Sequence, residues 1–315
     1  MDRPQNRNPK KPFPFHIIVF LAPAVIIYTV FMIYPLIDSL RLGFYAPQED
    51  NPQEEEFVAF DNYNTLFTNN NWKPRLIGAI KNNFIFFAIH MFVQNPIGLF
   101  LATLLSSQFI RGRAVYRTLI FTPTILSFVL VGFIWRLILS PLWGISGDIF
   151  NQLGFETLAR KPWLGLPGTA LPTLSLISVW QFVGIPMMLF MAALISIPEE
   201  LIEAARVDGA TALGVFVRIK FPLILPTVGI VTVLTFVGNF NAFDLIFTTQ
   251  GGLAGPDFAT DILGTLFYRT FFGFQLQSSN PTMGAAIAGV MFLIILTGVL
   301  LYLFAYQRRI LRVEF

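Results

Sequence analysis

Residues Ser196 to Pro226 read SIPEELIEAARVDGATALGVFVRIKFPLILP. They form a charged, amphipathic insert between two long apolar runs, longer than a plain connector between membrane helices. Ser196 followed three residues later by Glu199 has the form of a capping box, and Pro198 is tolerated in a first turn. The pattern predicts a helix from here to about Val207. Gly209 supplies the backbone freedom that ends it, and Ala212, Leu213, Phe216 and Ile219 recur at helical spacing until Pro222 interrupts. The expected form is helix, break, helix.

Working outward, the rest of the chain reads as a membrane protein. Hydrophobic residues make up 55% of the 315 and charged residues 12%, with 35 phenylalanines. An ordinary soluble domain carries about twice that charge fraction. Six segments are long and apolar enough to cross a hydrocarbon core, which takes roughly 20 helical residues. They lie near Ile17 to Leu42, Ile77 to Leu105, Thr118 to Leu139, Leu171 to Ile197, Leu223 to Thr248 and Pro281 to Tyr306. The first is too long for a signal-peptide core and no small-residue cleavage site follows it, so it reads as retained. The expected fold is all-α, with a six-helix domain over 15–307 between cytoplasmic tails at 1–14 and 308–315.

Basic residues are held on the cytoplasmic side of a membrane. An inside N-terminus collects Arg3, Arg7, Lys10, Lys11, Arg111, Arg113, Arg117, Arg206, Arg218, Lys220, Arg308, Arg309 and Arg312 in the cytoplasm. It leaves the acidic run Glu49, Asp50, Glu54, Glu55 and Glu56 outside. Both termini and the loop over 198–222 are therefore expected in the cytoplasm of a bacterial inner-membrane protein. A short helix there, with an apolar face and flanking charges, suits docking into a partner's groove; resting on lipid headgroups is the alternative.

The loop carries Glu203-Ala204-Ala205, then Asp208-Gly209-Ala210, Leu213, Ile219 and Pro222. This run resembles the coupling loop of permease subunits in ATP-driven bacterial importers. Further similarities follow in order: Lys81-Asn82-Asn83 opening the second span, Arg111-Gly112-Arg113 with Arg117-Thr118 and Pro123 at the third, Trp163-Leu164-Gly165 before the fourth, and Gly251-Gly252 with Gly255-Pro256 after the fifth. From about Phe13 to its end the chain is similar to the first permease of importers for maltose, multiple sugars and glycerol-3-phosphate. Lys220-Phe221 departs from the more usual short polar then aliphatic pair before the proline. The resemblance implies the type I ABC importer permease fold, a second homologous permease, two ATP-binding subunits, and an extracellular or periplasmic solute-binding protein. It also implies that Glu203, Ala204, Ala205, Asp208, Gly209, Ala210, Leu213, Ile219 and Pro222 couple the chain to its ATPase. No Lys follows a Gly anywhere, so no GxxxxGK phosphate loop can be written. ATP and Mg would be bound by the partner subunits, and no cofactor by this chain.

Polar groups inside spans are candidates for a solute path, because facing them to lipid is costly. In the second span Asn83, Phe87, His90 and Gln94 share one helical face. They suit either a hydrogen-bonding wall for a hydroxyl-rich solute or interhelical bonds that hold the bundle together. In the fifth, Asn241, Asp244 and Thr248 share a face toward the outer end, with Asn239 displaced around the helix and Phe240 and Phe243 nearby. Carboxylate, amide and aromatic groups together suit a sugar. A structural ion pair of Asp244 with Arg269 or Arg136 is the alternative. In the fourth, Trp180, Gln181 and Gly184 lie near Pro186, whose missing donor predicts a kink; a packing or lipid-facing Trp180 is equally consistent. Small residues four apart in the sixth, Gly284 with Ala288 and Ala285 with Gly289, predict close helix packing, with the partner permease as one candidate.

Several classes fall away. There is no cysteine and only His16 and His90, which excludes a disulfide framework, Cys-based metal sites and histidine clusters. The net charge of +3 reflects topology, with no basic-aromatic stripe for nucleic acid. Glu199, Glu200 and Glu203 sit on a solvated helix without a nucleophile, so catalysis is not expected. The reading is half of an alternating-access path for a sugar or sugar-like polyol. The rival, an ion-driven secondary carrier, often shows inverted repeats and broken helices with buried ion-binding residues; no convincing internal repeat is seen in the sequence, and a carrier has no need of the Glu203 to Pro222 loop.

Overall fold

The computed structural model describes residues 15–48, 54–107, 110–275 and 277–307. The two tails, with their basic residues, and Glu49 and Asp50 lie outside the described residues. Four helical segments are long and apolar enough to cross a membrane: Ile17–Leu42, Trp72–Ser106, Leu225–Gln250 and Pro281–Phe304. Two bent pairs pass the same test jointly, Arg113–Ile125 with Phe128–Ile138 at 100° and Pro167–Phe182 with Gly184–Ile195 at 45°. The crossings number six if each pair makes one.

The 100° bend falls within the third span expected over Thr118 to Leu139. Pro123 closes a tight turn over Thr122–Ile125, Leu126 is extended, and Ser127 begins a new helix by accepting a bond from Leu130 N at 3.3 Å. A broken helix at membrane depth must satisfy its freed backbone groups within the protein. Gln181 does this, donating from Nε2 to Leu126 O at 3.1 Å while its own carbonyl accepts from Thr124 Oγ1 at 3.0 Å. The 45° bend falls at Val183, where Pro186 cannot donate to the Phe182 carbonyl. Gly184 permits close contact there, since a Cβ would lie 2.9 Å from Phe121 Cα.

Other elements depart from regular helix locally. A wide π turn over His90–Gln94 lies inside the Trp72–Ser106 helix, so the side-chain register shifts midway along the expected polar stripe. The Leu225–Gln250 helix is interrupted after Phe240 and resumes at Asp244. A short antiparallel hairpin, Tyr45–Pro47 with Glu55–Phe57, qualifies the all-α expectation. Asn62 holds its base by donating to Gly43 O and Tyr45 O at 3.0 and 2.7 Å.

In the Ser196 to Pro226 stretch the helix runs Glu199–Val207. No capping box forms: Ser196 Oγ instead donates back to Ala193 O at 2.8 Å, closing the preceding helix, and Pro198 is the N-cap. The C-terminus is a Schellman motif, with Ala210 N bonded to Ala205 O and Gly209 N to Arg206 O. Gly209 has φ +82, which only glycine adopts without strain. Thr211 caps the next turn by accepting from Gly214 N at 3.1 Å. Pro222 does not end the helix as expected; a π turn over Phe216–Lys220 absorbs it, and helix continues through Phe221–Leu223 to Leu225–Phe240.

Three buried apolar clusters hold the bundle. One centres on Leu66, Leu76, Phe240, Leu266 and Ile287, a second on Phe86, Leu174, Ile177, Ile246 and Ile262, and a third on Ala102, Met187, Phe190, Leu194 and Ile224. Within lipid their cohesion is close van der Waals contact, since acyl chains are as apolar as leucine. Pro281–Phe304 meets its own chain: a Cβ at Gly284 would stand 2.7 Å from Phe271 Cβ, and one at Gly289 would stand 2.6 Å from the Tyr63 hydroxyl. The small-residue pattern thus serves internal packing. Tyr34–Leu42 packs on Pro281–Leu301, yet none of the membrane window of Ile17–Leu42 is buried.

Candidate functional site

A cavity of about 400 Å³ opens beside the break in the Leu225–Gln250 helix. His90, Gln94, Asn239, Asn241 and Asp244 line it, together with Ser178, Thr235 and the rings of Phe86, Phe128, Phe182 and Phe243. Asn241 N still bonds Val237 O, so Asn239 and Asn241 keep helical positions about 200° apart; past the break, Phe243 and Asp244 complete the lining.

The three remaining polar candidates lie outside the lining. Asn83 is fully buried behind it, donating to Asn239 O at 3.0 Å and accepting from Leu263 N at 2.8 Å. It fixes the Asn239 backbone and the start of the Leu263–Phe272 helix. Gln181 is engaged across the 100° bend. Trp180 is 41% exposed and packs edge-on against Trp135. Ser178, Thr235 and the phenylalanines at 86, 128 and 182 escaped the sequence reading, although Ser178, Phe182, Ile185 and Leu189 recur at the three-to-four spacing of one helical face.

Hydrogen bonds fix the lining. His90 Nδ1 lies 2.8 Å from Phe86 O and must carry the proton there, so Nε2 accepts from Ser178 Oγ at 2.9 Å. Thr235 Oγ1 donates to Val231 O at 2.7 Å and accepts from Asn95 Nδ2 at 3.1 Å. Asn239 Nδ2 donates to Thr235 O at 2.6 Å, and Asn241 Nδ2 to Val237 O at 3.0 Å. Asp244 is exposed, and the ion pairs among the described residues are Arg41–Asp38 and Arg269–Asp261, not one to Asp244. Arg269 is wholly buried in the Leu263–Phe272 helix, gripping Asp261 at 3.2 and 2.6 Å and Gly252 O at 2.9 Å. Burial raises the Asp261 carboxyl above its usual range, against the pull of Arg269, Thr265 and Arg75.

The loop lies apart from this cavity and exposes its apolar groups, with Val207 87% and Leu213 72% accessible. Glu203, Ala204, Asp208, Gly209 and Pro222 are also exposed; Ala205, Ala210 and Ile219 are partly covered. Both helices leading into the loop run on to the cavity. All lining residues except Phe86, His90, Gln94 and Phe128 belong to Ser178–Leu189 on one side or Val231–Ile246 on the other.

Residues 94–312 match the family described as "binding-protein-dependent transport system inner membrane component". A probable ABC transporter permease, YurN of Bacillus subtilis, is 30% identical over 266 residues, covering 84% of this chain and 87% of the relative. The arabinooligosaccharides permease AraP of the same organism is 28% identical, over 91% of this chain and 86% of its own. Among solved structures, a bacterial ABC transporter importing the acidic polysaccharide alginate superposes with TM-score 0.74 at 25% identity, covering 93% of this chain and 96% of that one. The chain belongs to the family of inner-membrane components of binding-protein-dependent transport systems.

Proposed function

We propose that this chain is the first permease subunit of an ATP-driven importer, forming half of an alternating-access path for a sugar or sugar-like polyol. It crosses the inner membrane six times with both termini cytoplasmic, each bent pair making one crossing. The cavity is this half's solute site, and Glu199–Val207 with the residues through Pro222 docks on an ATP-binding subunit. The observation that carries the reading is the continuity of the loop's two flanking helices with the cavity wall. A partner that moves the loop must move the helices that line the cavity. Relatives named for arabinooligosaccharide and alginate import support the solute class. The alginate transporter has also been solved with a pentasaccharide-bound periplasmic protein, which supports delivery by a binding protein. An ion-driven carrier has no use for an exposed loop of this kind, and the family match favours the importer.

Tagging the chain, extracting it gently from its native membrane and identifying what accompanies it by mass spectrometry tests the reading. An ATP-binding subunit and a second permease of the same family are expected. Recovery alone or as a self-dimer would return the ion-driven carrier.

A further inference from the structure

The pair Asn82-Asn83 in the second span meets the loop over 251–262, which carries Gly251-Gly252 and Gly255-Pro256. Asn82 Nδ2 donates to Ala259 O at 3.1 Å and to Asp261 O at 2.7 Å. Asn83, one position on and about 100° around the helix, reaches different elements. Its Nδ2 donates to Asn239 O at 3.0 Å, where Leu225–Phe240 runs out, and its Oδ1 accepts from Leu263 N at 2.8 Å, where Leu263–Phe272 begins. Helix ends leave such carbonyls and N–H groups without intrahelical partners, and here one amide answers both. The loop is also held from within. Arg269 joins Gly252 O to the Asp261 carboxylate, and Thr260 Oγ1 donates to Gly255 O at 2.9 Å. Ala254, Asp257 and Phe258 have φ of +47, +49 and +57. Non-glycine residues keep such backbone only where their surroundings enforce it, and it gathers at functional sites.

Neither asparagine lines the cavity, and no residue of the loop does; Asn239 does. The bonded set therefore runs from Gly252 through Arg269 and Asp261 to Asn82, and from its helical neighbour Asn83 to the cavity wall at Asn239. Neighbours on one packed helix move together, so the placement of the loop and that of Asn239 are set jointly. We propose that Asn82 and Asn83 are positioning residues of the solute site, a clasp that carries the placement of the 251–262 loop to the cavity wall. The proposal rests on the reading of the cavity as a solute site. A wall already held in its bound geometry spares the solute the cost of ordering it. Cutting either half of the clasp then weakens binding at a site that neither side chain touches.

The test uses the intact importer in lipid nanodiscs and follows the binding of neutral di- and trisaccharides of glucose, galactose, mannose and arabinose by saturation-transfer NMR titration. Asn82→Ala and Asn83→Ala should each weaken binding roughly fivefold, the scale of one net hydrogen bond. The double variant should be little weaker than either single, because one cut already parts the loop from the wall; independent effects would multiply to about twenty-five-fold. Asn62→Ala controls for stability alone, since it too releases two backbone carbonyls, Gly43 O and Tyr45 O, but at the base of the hairpin. It should leave affinity unchanged. Asn82 is only partly buried, so if Asn83→Ala does not insert, Asn82→Ala against Asn62→Ala decides. Unchanged affinity in Asn82→Ala, full multiplication in the double variant, or equal loss in Asn62→Ala would overturn the clasp and leave the solute site standing. Binding of no saccharide by the parent would overturn the cavity as solute site and the clasp with it, while recovery of the ATP-binding subunit would still stand for the importer.

Discussion

Among the described residues Arg269 is the largest fully buried side chain, and its charge is matched where Asp261 holds it. Phe258 lies over the guanidinium at 5.1 Å, and Thr265 Oγ1 donates to Asp261 Oδ1 at 2.7 Å. Removing one partner of such a pair strands a charge, while replacing both with apolar groups is often neutral. Asp261→Ala or Arg269→Met should therefore cost about 3–5 kcal/mol, and the double variant Asp261→Leu with Arg269→Met should recover most of it. Thermal unfolding of the purified complex reads the difference; a double variant as unstable as either single would refute the argument. At this scale the sequence was partly legible. Asn239, Asn241 and Asp244 stand out because amides and carboxylates are conspicuous in an apolar helix. Ser178 and Thr235 do not, because hydroxyls in membrane helices commonly bond back to their own helix, as Thr235 does to Val231 O. Asp244 was ambiguous for a different reason: its tentative partner Arg269 had Asp261 available eight residues earlier, a competition decided only by the turn between them.

Among elements, the helix Glu199–Val207 and its glycine stop were readable, since a left-handed cap leaves few residue choices. Its start was misread because Ser196 had the preceding helix to close. Bends were harder. Pro186 announced one, but Pro123 produced a 100° turn only because Ser127 and Gln181 absorb the freed groups, and Gln181 lies more than fifty residues downstream. Gly209→Ala should destabilise the loop by roughly 1 kcal/mol, the cost of a Cβ in left-handed backbone, with transport reduced but present. Gly209→Pro removes the N–H that bonds Arg206 O and cannot reach positive φ. Uptake in reconstituted vesicles should then fall roughly tenfold or more, within the span of ordinary coupling energies, while ATP hydrolysis persists and membrane insertion is unchanged. Glu203→Lys should act the same way by reversing an exposed charge. Normal uptake in both Gly209→Pro and Glu203→Lys would remove the loop from the coupling role.

For the whole molecule, the proposed six crossings would place the loop and the Ser140–Leu166 segment on opposite faces. The chain has no cysteine, so single-cysteine variants report position without background. Val207→Cys should react with a membrane-impermeant maleimide only in inside-out vesicles, and Trp143→Cys, 84% exposed, only in intact cells. Labelling of both from one side would break the six-span topology. Hydropathy made the number of apolar runs legible, yet it could not show that Ile17–Leu42 contributes nothing buried to the bundle, since lipid-facing and partner-facing helices have the same composition. The Gln181 bridge carries a mechanical consequence. Its side chain and carbonyl tie the elbow at Leu126 to the helix pair that descends into the loop, and Gly184 seats that pair against Phe121. On the proposed coupling, two jointed rods pinned at the elbow would turn together, and loosening the pin would let the motor spin against slack.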